Sequence, residues 1–103
     1  MKTQDFAKTG LFGHWRVRMG LLRFDWIFRD DCSFIGRLSV FGIPMMRLNG
    51  TWSIEGDKLV SIYHLDGRKD TDTLLEVAQD YFILMTSSGT RRKWERVDAK
   101  PVA

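Results

Sequence analysis

The stretch Gly50–Tyr63, Gly-Thr-Trp-Ser-Ile-Glu-Gly-Asp-Lys-Leu-Val-Ser-Ile-Tyr, limits the possible folds more than any other. It reads as strand, tight turn, strand. Trp52 and Ile54 share one face of the first arm, because strand side chains alternate with period two. Glu55-Gly-Asp-Lys58 is the turn, with Gly56 free to take a positive φ. Leu59–Tyr63 is the return arm, rich in β-branched and aromatic residues.

The rest of the chain repeats this unit with variations. Residues 1–12 read as an arm with a helical turn around Asp5–Lys8, and Phe6, Leu11 and Phe12 are placed to cover one end of a core. Gly13–Met19 alternates: Trp15, Val17 and Met19 face one way, His14, Arg16 and Arg18 the other. Arg23–Arg29 puts Phe24, Trp26 and Phe28 on its apolar face. Asp30-Asp-Cys32 signals a turn. Ser33–Val40 follows, and Gly36 inside it predicts a bend. Phe41–Pro44 reads as a loop, since Pro44 has no N–H for a central ladder. Met45–Ile54, Leu59–His64, Lys69–Val77, Tyr81–Thr86 and Thr90–Val97 complete the set. In Lys69–Val77 the preferred face is Thr71, Thr73, Leu75 and Val77; helix competes over Leu74–Gln79. Roughly eight short strands joined by turns every eight to twelve residues predict an all-β antiparallel fold, an up-and-down barrel or a flattened sandwich.

A chain of 103 residues makes one domain, here 13–97, between the arm 1–12 and a tail 98–103. Thirteen aromatic residues supply large apolar area to a core of modest size. The single cysteine, Cys32, cannot form an intramolecular disulfide, so packing carries the stability. No apolar run is long enough for a signal peptide or a membrane span, which makes the cytoplasm the default compartment. A chain with its leader removed and a start Met added would read the same. The net charge of +3 is uneven. Residues 1–52 hold eight Lys/Arg against four Asp/Glu, residues 53–90 three against seven, and residues 91–103 five against two. That bipolar pattern suits strand pairing or self-association better than a nucleic-acid groove.

Three pieces of the chain resemble the compact bacterial lipocalin-like domains, relatives in shape of lipocalins and fatty-acid-binding proteins. Gly13-His-Trp15 looks like the Gly-x-Trp signature that opens the first strand. Phe24–Arg37 looks like the hairpin in which an aromatic strand enters an Asp-Gly turn, although Asp31-Cys32 stands in place of Asp-Gly. Gly50–Leu59 looks like the Gly-Thr-Trp…Gly-Asp-x-Leu hairpin, and Lys93–Val97 suits the last strand. The likeness covers most of residues 10–97. It implies a barrel closed at one end by Trp15 beneath Arg92 or Arg96 in a cation–π contact. It also implies a cavity smaller than a full lipocalin's.

Little in the chain suggests catalysis, and we expect no enzyme. His14 and His64 lack partners at metal spacing, so no metal or other cofactor is expected. His64, beside a turn, is the better of the two for single-histidine haem ligation, and solvent exposure is the simpler reading. Asp70 and Asp72 share a strand face; the simplest reading is a solvated edge that discourages edge-to-edge aggregation. Arg91–Arg96 mixes cations with an aromatic as single-strand binders do, but alternation divides Arg92, Trp94 and Arg96 from Arg91, Lys93 and Glu95. The preferred expectation is one small apolar or amphipathic ligand inside the barrel, lined by Phe24, Trp26, Phe34, Leu38, Met46, Leu48, Trp52 and Tyr63. The alternative is that the same residues fill the interior and the protein works as a homodimer. Ile27, Ile35, Val60, Ile62, Leu74, Ile83 and Met85, all off the assigned core face, leave much apolar surface for a twofold interface.

Overall fold

A computed structural model describes residues 8–98. A single 3-10 turn, Lys8–Leu11, leads into eight strands. These are β1 (Gly13–Met19), β2 (Leu22–Phe28), β3 (Ser33–Val40), β4 (Ile43–Glu55), β5 (Lys58–Tyr63), β6 (Lys69–Val77), β7 (Tyr81–Met85) and β8 (Arg91–Arg96). Each pairs antiparallel with its sequence neighbour, and β8 returns to β1 to close a barrel. The closing seam is short: Trp15 opposite Arg96 and Arg16 opposite Glu95. The fold is therefore the closed barrel rather than the sandwich. The helical turn lies at Lys8–Leu11; Phe6 and the start of the expected Asp5–Lys8 turn fall outside the described residues.

Local chemistry accounts for the turns. Cys32 takes φ 71°, so it occupies the left-handed position that Gly would fill after Asp31. Asp31 steadies this bend by accepting bonds from the Ser33 N–H and hydroxyl. Phe41 and Gly42 both have positive φ, 53° and 79°, the pair of values a two-residue hairpin needs. The segment read as a loop is thus a tight turn followed at once by strand. Pro44 sits in β4 opposite Ser39, where the ladder slips between Leu38 and Ser39, and at such an irregularity a missing N–H costs little.

The core is packed at one end. Leu11 and Trp15 are fully buried, and the Leu11 carbonyl accepts the Trp15 Nε1–H at 2.9 Å. Trp15 meets Phe82 edge-on at 4.9 Å, and Phe28 meets Trp52 at 4.8 Å. The Arg96 guanidinium lies over the Trp15 ring at 4.1 Å and donates to the carbonyls of Phe12 and Gln79. Of the two arginines considered for that place, Arg96 occupies it. Gly13 is required beneath it, because a Cβ there would overlap the Arg96 guanidinium. Gly50 is required in the wall for a similar reason: a Cβ would overlap the Ile62 carbonyl and come within 2.7 Å of the Phe34 ring.

Two faces differ from the sequence reading. In β6 the inward residues are Asp70, Asp72 and Leu74, with Thr71 and Thr73 outside. The ladder with β7 then shifts between Leu74 and Glu76, which restores Val77 to the core side. Strand prevails over helix in Leu74–Val77. The apolar outer surface is also smaller than expected. Leu74 faces in at 2% exposure, and Ile35 and Val60 are buried, whereas Ile62 remains exposed.

Candidate ligand-binding site

At the end opposite the Leu11–Trp15 plug the interior is not filled. A cavity of about 250 Å³ lies there. Its walls are Val17 and Met19 from β1, Phe24 and Trp26 from β2, Phe34 and Gly36 from β3, and Leu48 from β4. Tyr63, Asp70, Asp72, Leu84, Thr86, Arg92 and Trp94 complete them. Three features of the sequence keep this space open. Gly36 stands opposite Trp26 and contributes no side chain. β6 presents two short carboxylates where the other strands present rings or branched chains. The first half of β4, from Ile43 to Arg47, is exposed and adds no side chain to the cavity walls.

Of the eight residues expected to line a ligand site, Phe24, Trp26, Phe34, Leu48 and Tyr63 surround this cavity. The other three do not line it. Trp52 belongs to the packed end, 3% exposed, with its indole N–H donating to the Arg29 carbonyl at 3.1 Å. Leu38 and Met46 form the cross-strand pair next to the slipped register, and Met46 is half exposed on the projecting hairpin. Alternation placed them on the inward face, and the register keeps them there, with Leu38 opposite Phe24; they sit toward the β3–β4 turn, past the enclosed space, where β4 is exposed from Ile43 to Arg47.

The residues that sequence reasoning missed are polar. Asp70 and Asp72 line the cavity, and β6 is paired on both sides in the closed barrel, so they are not on a sheet edge, although the Asp70 side chain keeps 45% of its surface in solvent. Their register explains it: Asp70 lies opposite Ser61 and Asp72 opposite Leu59, and both partners are fully buried. Alternation in the sequence leaves β5 open between Leu59/Tyr63/Leu65 and Val60/Ile62; the structure turns Leu59 and Tyr63 inward, and the pairing of Leu59 with Asp72 puts that carboxylate on the same side. Arg68 approaches Asp70 at 3.9 Å and stacks over the Tyr63 ring at 4.8 Å. Asp72 has neither a hydrogen bond nor a cation within 4.0 Å among the described residues. Burial, with added repulsion from Asp70, pushes its carboxyl from 3.8 up to about 6. Burial, then the neighbouring Asp70 carboxylate, pushes the Tyr63 hydroxyl up to about 12.

Trp94 forms another part of the wall. It packs against Trp26 at 5.1 Å and Phe24 at 6.2 Å, and is 7% exposed. Its Nε1–H has no acceptor among the described residues. Ser61, fully buried beside Asp70 in the ladder, likewise has an unpartnered hydroxyl.

The outer wall holds a separate polar cluster. Asp25, buried at 3% exposure, accepts from Arg16 at 2.8 Å, Arg23 at 3.3 Å and His14 at 2.9 Å. Burial alone would raise its carboxyl. The bonds from Arg16 and His14, with their charges, outweigh that and hold it below 3.8. These groups pair with one another on the outside of β1 and β2 and do not reach the cavity. His64 is exposed in the β5–β6 connection and is not among the cavity walls. Among the described residues no cluster of three or more His, Cys, Asp or Glu could hold a metal, and no helix is long and apolar enough to cross a membrane. On β8, Arg92 and Trp94 line the cavity whereas Lys93 lies outside, over the Tyr81 ring at 4.7 Å, so the basic run is divided between two faces.

No protein-family model, curated protein or solved structure matches the chain.

Proposed function

We propose that this protein is a non-catalytic, lipocalin-like barrel that binds one small amphipathic molecule at its open end. The observation that carries the reading is the uneven filling of the interior. One end is packed solid around Trp15, and the other holds an aromatic-walled cavity with a few convergent polar groups, the usual anatomy of a ligand site. At about 250 Å³ the cavity falls below the ~300 Å³ at which drug-sized pockets begin. The ligand is therefore small, closer to a single ring with a short chain than to a fatty acid.

The test is a pair of proteins. A Cβ at Gly36 would meet only ordinary contacts, Leu48 at 3.8 Å and Phe24 at 3.9 Å, so the wall admits a side chain there and Gly36→Leu takes up cavity space. Wild type should take up a small environment-sensitive fluorophore that Gly36→Leu excludes. Equal uptake by both, or none by either, would remove the proposal.

A second reading, a homodimer, is favoured by the rim. Leu21, Phe41, Ile43, Met45 and Met46 are each more than half exposed on the β1–β2 and β3–β4 hairpins, which border the mouth. Phe41 also holds a left-handed backbone that costs a bulky residue about 1–2 kcal/mol, so a large apolar group is kept there against local preference. Sedimentation as a monomer at high concentration would dismiss this reading.

A further inference from the structure

We propose that the ligand is an organic cation, a small protonated amine with an apolar body, seated with its ammonium against Asp72. This deepens the ligand-binding reading above and rests on it.

Three observations converge. First, Asp72 is a half-buried carboxylate with no cation within 4.0 Å and no hydrogen bond among the described residues, inside a cavity rather than on an edge. A carboxylate placed so is destabilised until something positive arrives. Second, the neighbouring Asp70 makes the site doubly acidic. Its own cation, Arg68, is an exposed loop residue at 3.9 Å, and among the described residues Arg92 is the only cation in the cavity wall. An anionic head group seated beside the two aspartates would be repelled, which argues against a fatty acid. Third, the walls around the carboxylates are rings: Phe24, Trp26, Phe34, Tyr63 and Trp94. Aromatic faces attract ammonium groups and accept an apolar body. A bare divalent metal fits poorly, since the two carboxylates have no third His, Cys, Asp or Glu beside them among the described residues.

The experiment compares three probes of one shape by calorimetry: tyramine, its uncharged analogue 4-ethylphenol, and the acid 3-(4-hydroxyphenyl)propionate. Wild type should bind tyramine about tenfold or more tightly than 4-ethylphenol, the size expected of one charge-assisted contact, and the acid most weakly. Asp72→Asn should bring tyramine down to the level of 4-ethylphenol and leave 4-ethylphenol unchanged; Asp72→Glu, which keeps the charge, should restore part of the preference. Thermal unfolding of each variant checks that it is folded. If 4-ethylphenol or the acid binds as well as tyramine, the cation assignment falls while the ligand-binding barrel stands. If none of the three binds and Gly36→Leu excludes no fluorophore, both fall together.

Discussion

Replacing Asp72 by Asn should make the protein more stable, and only above acidic pH. The side chain keeps its shape and loses a charge that the cavity disfavours. The carboxyl is raised from 3.8 to about 6, first by burial and then by Asp70. Taken at face value that rise corresponds to about 3 kcal/mol lost to the native state when the group ionises. Asp72 is only half-buried and faces the mouth, so water screens a large part of it; about 1–1.5 kcal/mol is the figure to expect. The sign follows from proton binding. Below pH 3.8 the carboxyl is neutral in both folded and unfolded chains, so aspartic acid and asparagine are equivalent. Between 3.8 and about 6 the folded state holds a proton that the unfolded state has released, and wild-type stability declines as pH rises. Above about 6 the whole penalty is present. The ionisable groups that share the cavity wall with Asp72 are Asp70 on its own strand, Tyr63 from β5 and Arg92 from β8. Urea unfolding at about pH 3.5 and pH 7.5 measures it. The variant should match wild type at the lower pH and gain about 1–1.5 kcal/mol, roughly 5 °C in Tm, at the higher. A variant destabilised at pH 7.5, or stabilised equally at both, would show that Asp72 is not a strained cavity carboxylate. The case for a cation ligand would lose its main support.

Three further outcomes test other parts of the barrel. Arg96→Met keeps the aliphatic stem but removes the contact over Trp15 and orphans the Phe12 and Gln79 carbonyls; a loss of about 2–3 kcal/mol in urea titration is expected. Gly50→Ala forces a methyl into the Ile62 carbonyl and against Phe34, and should cost about 3 kcal/mol or more, whereas Gly36→Ala should be near neutral because its added Cβ meets only ordinary contacts. Asp25→Asn should cost about 2 kcal/mol at neutral pH, since three charge-assisted bonds converge on that carboxylate. Because the Asp25 carboxyl is depressed in the fold, its contribution is full above 3.8 and disappears as pH falls through the folded value, so variant and wild type should converge in strong acid.

Strand order and turn chemistry were legible in the sequence because both are local. Period-two alternation placed Trp15, Trp26, Phe28, Phe34 and Trp52 inside without any knowledge of partners, and Gly or its substitute Cys32 marked the bends. Two kinds of information were not local. The first is which face of an ambiguous strand turns inward. Lys69–Val77 offers Thr71, Thr73, Leu75 and Val77 as a plausible core set; the pairing of Asp72 with Leu59 and Asp70 with Ser61 overrules it, and a slipped ladder after Leu74 lets Val77 rejoin the core. The second is where the barrel stops. Leu38 and Met46 obey the same alternation as Phe24 and Trp26 and stay in register with Phe24, yet they lie toward the β3–β4 turn, where the exposed first half of β4 no longer encloses the interior. Side-chain period follows from backbone geometry, and any short stretch reveals it. Enclosure follows from closure between strands far apart in sequence, such as Trp15 with Arg96, and from register set by a neighbour. Sequence alone therefore determined that this chain wraps hairpins around an aromatic centre, and only the tertiary structure decided that one end of that centre is hollow and acidic.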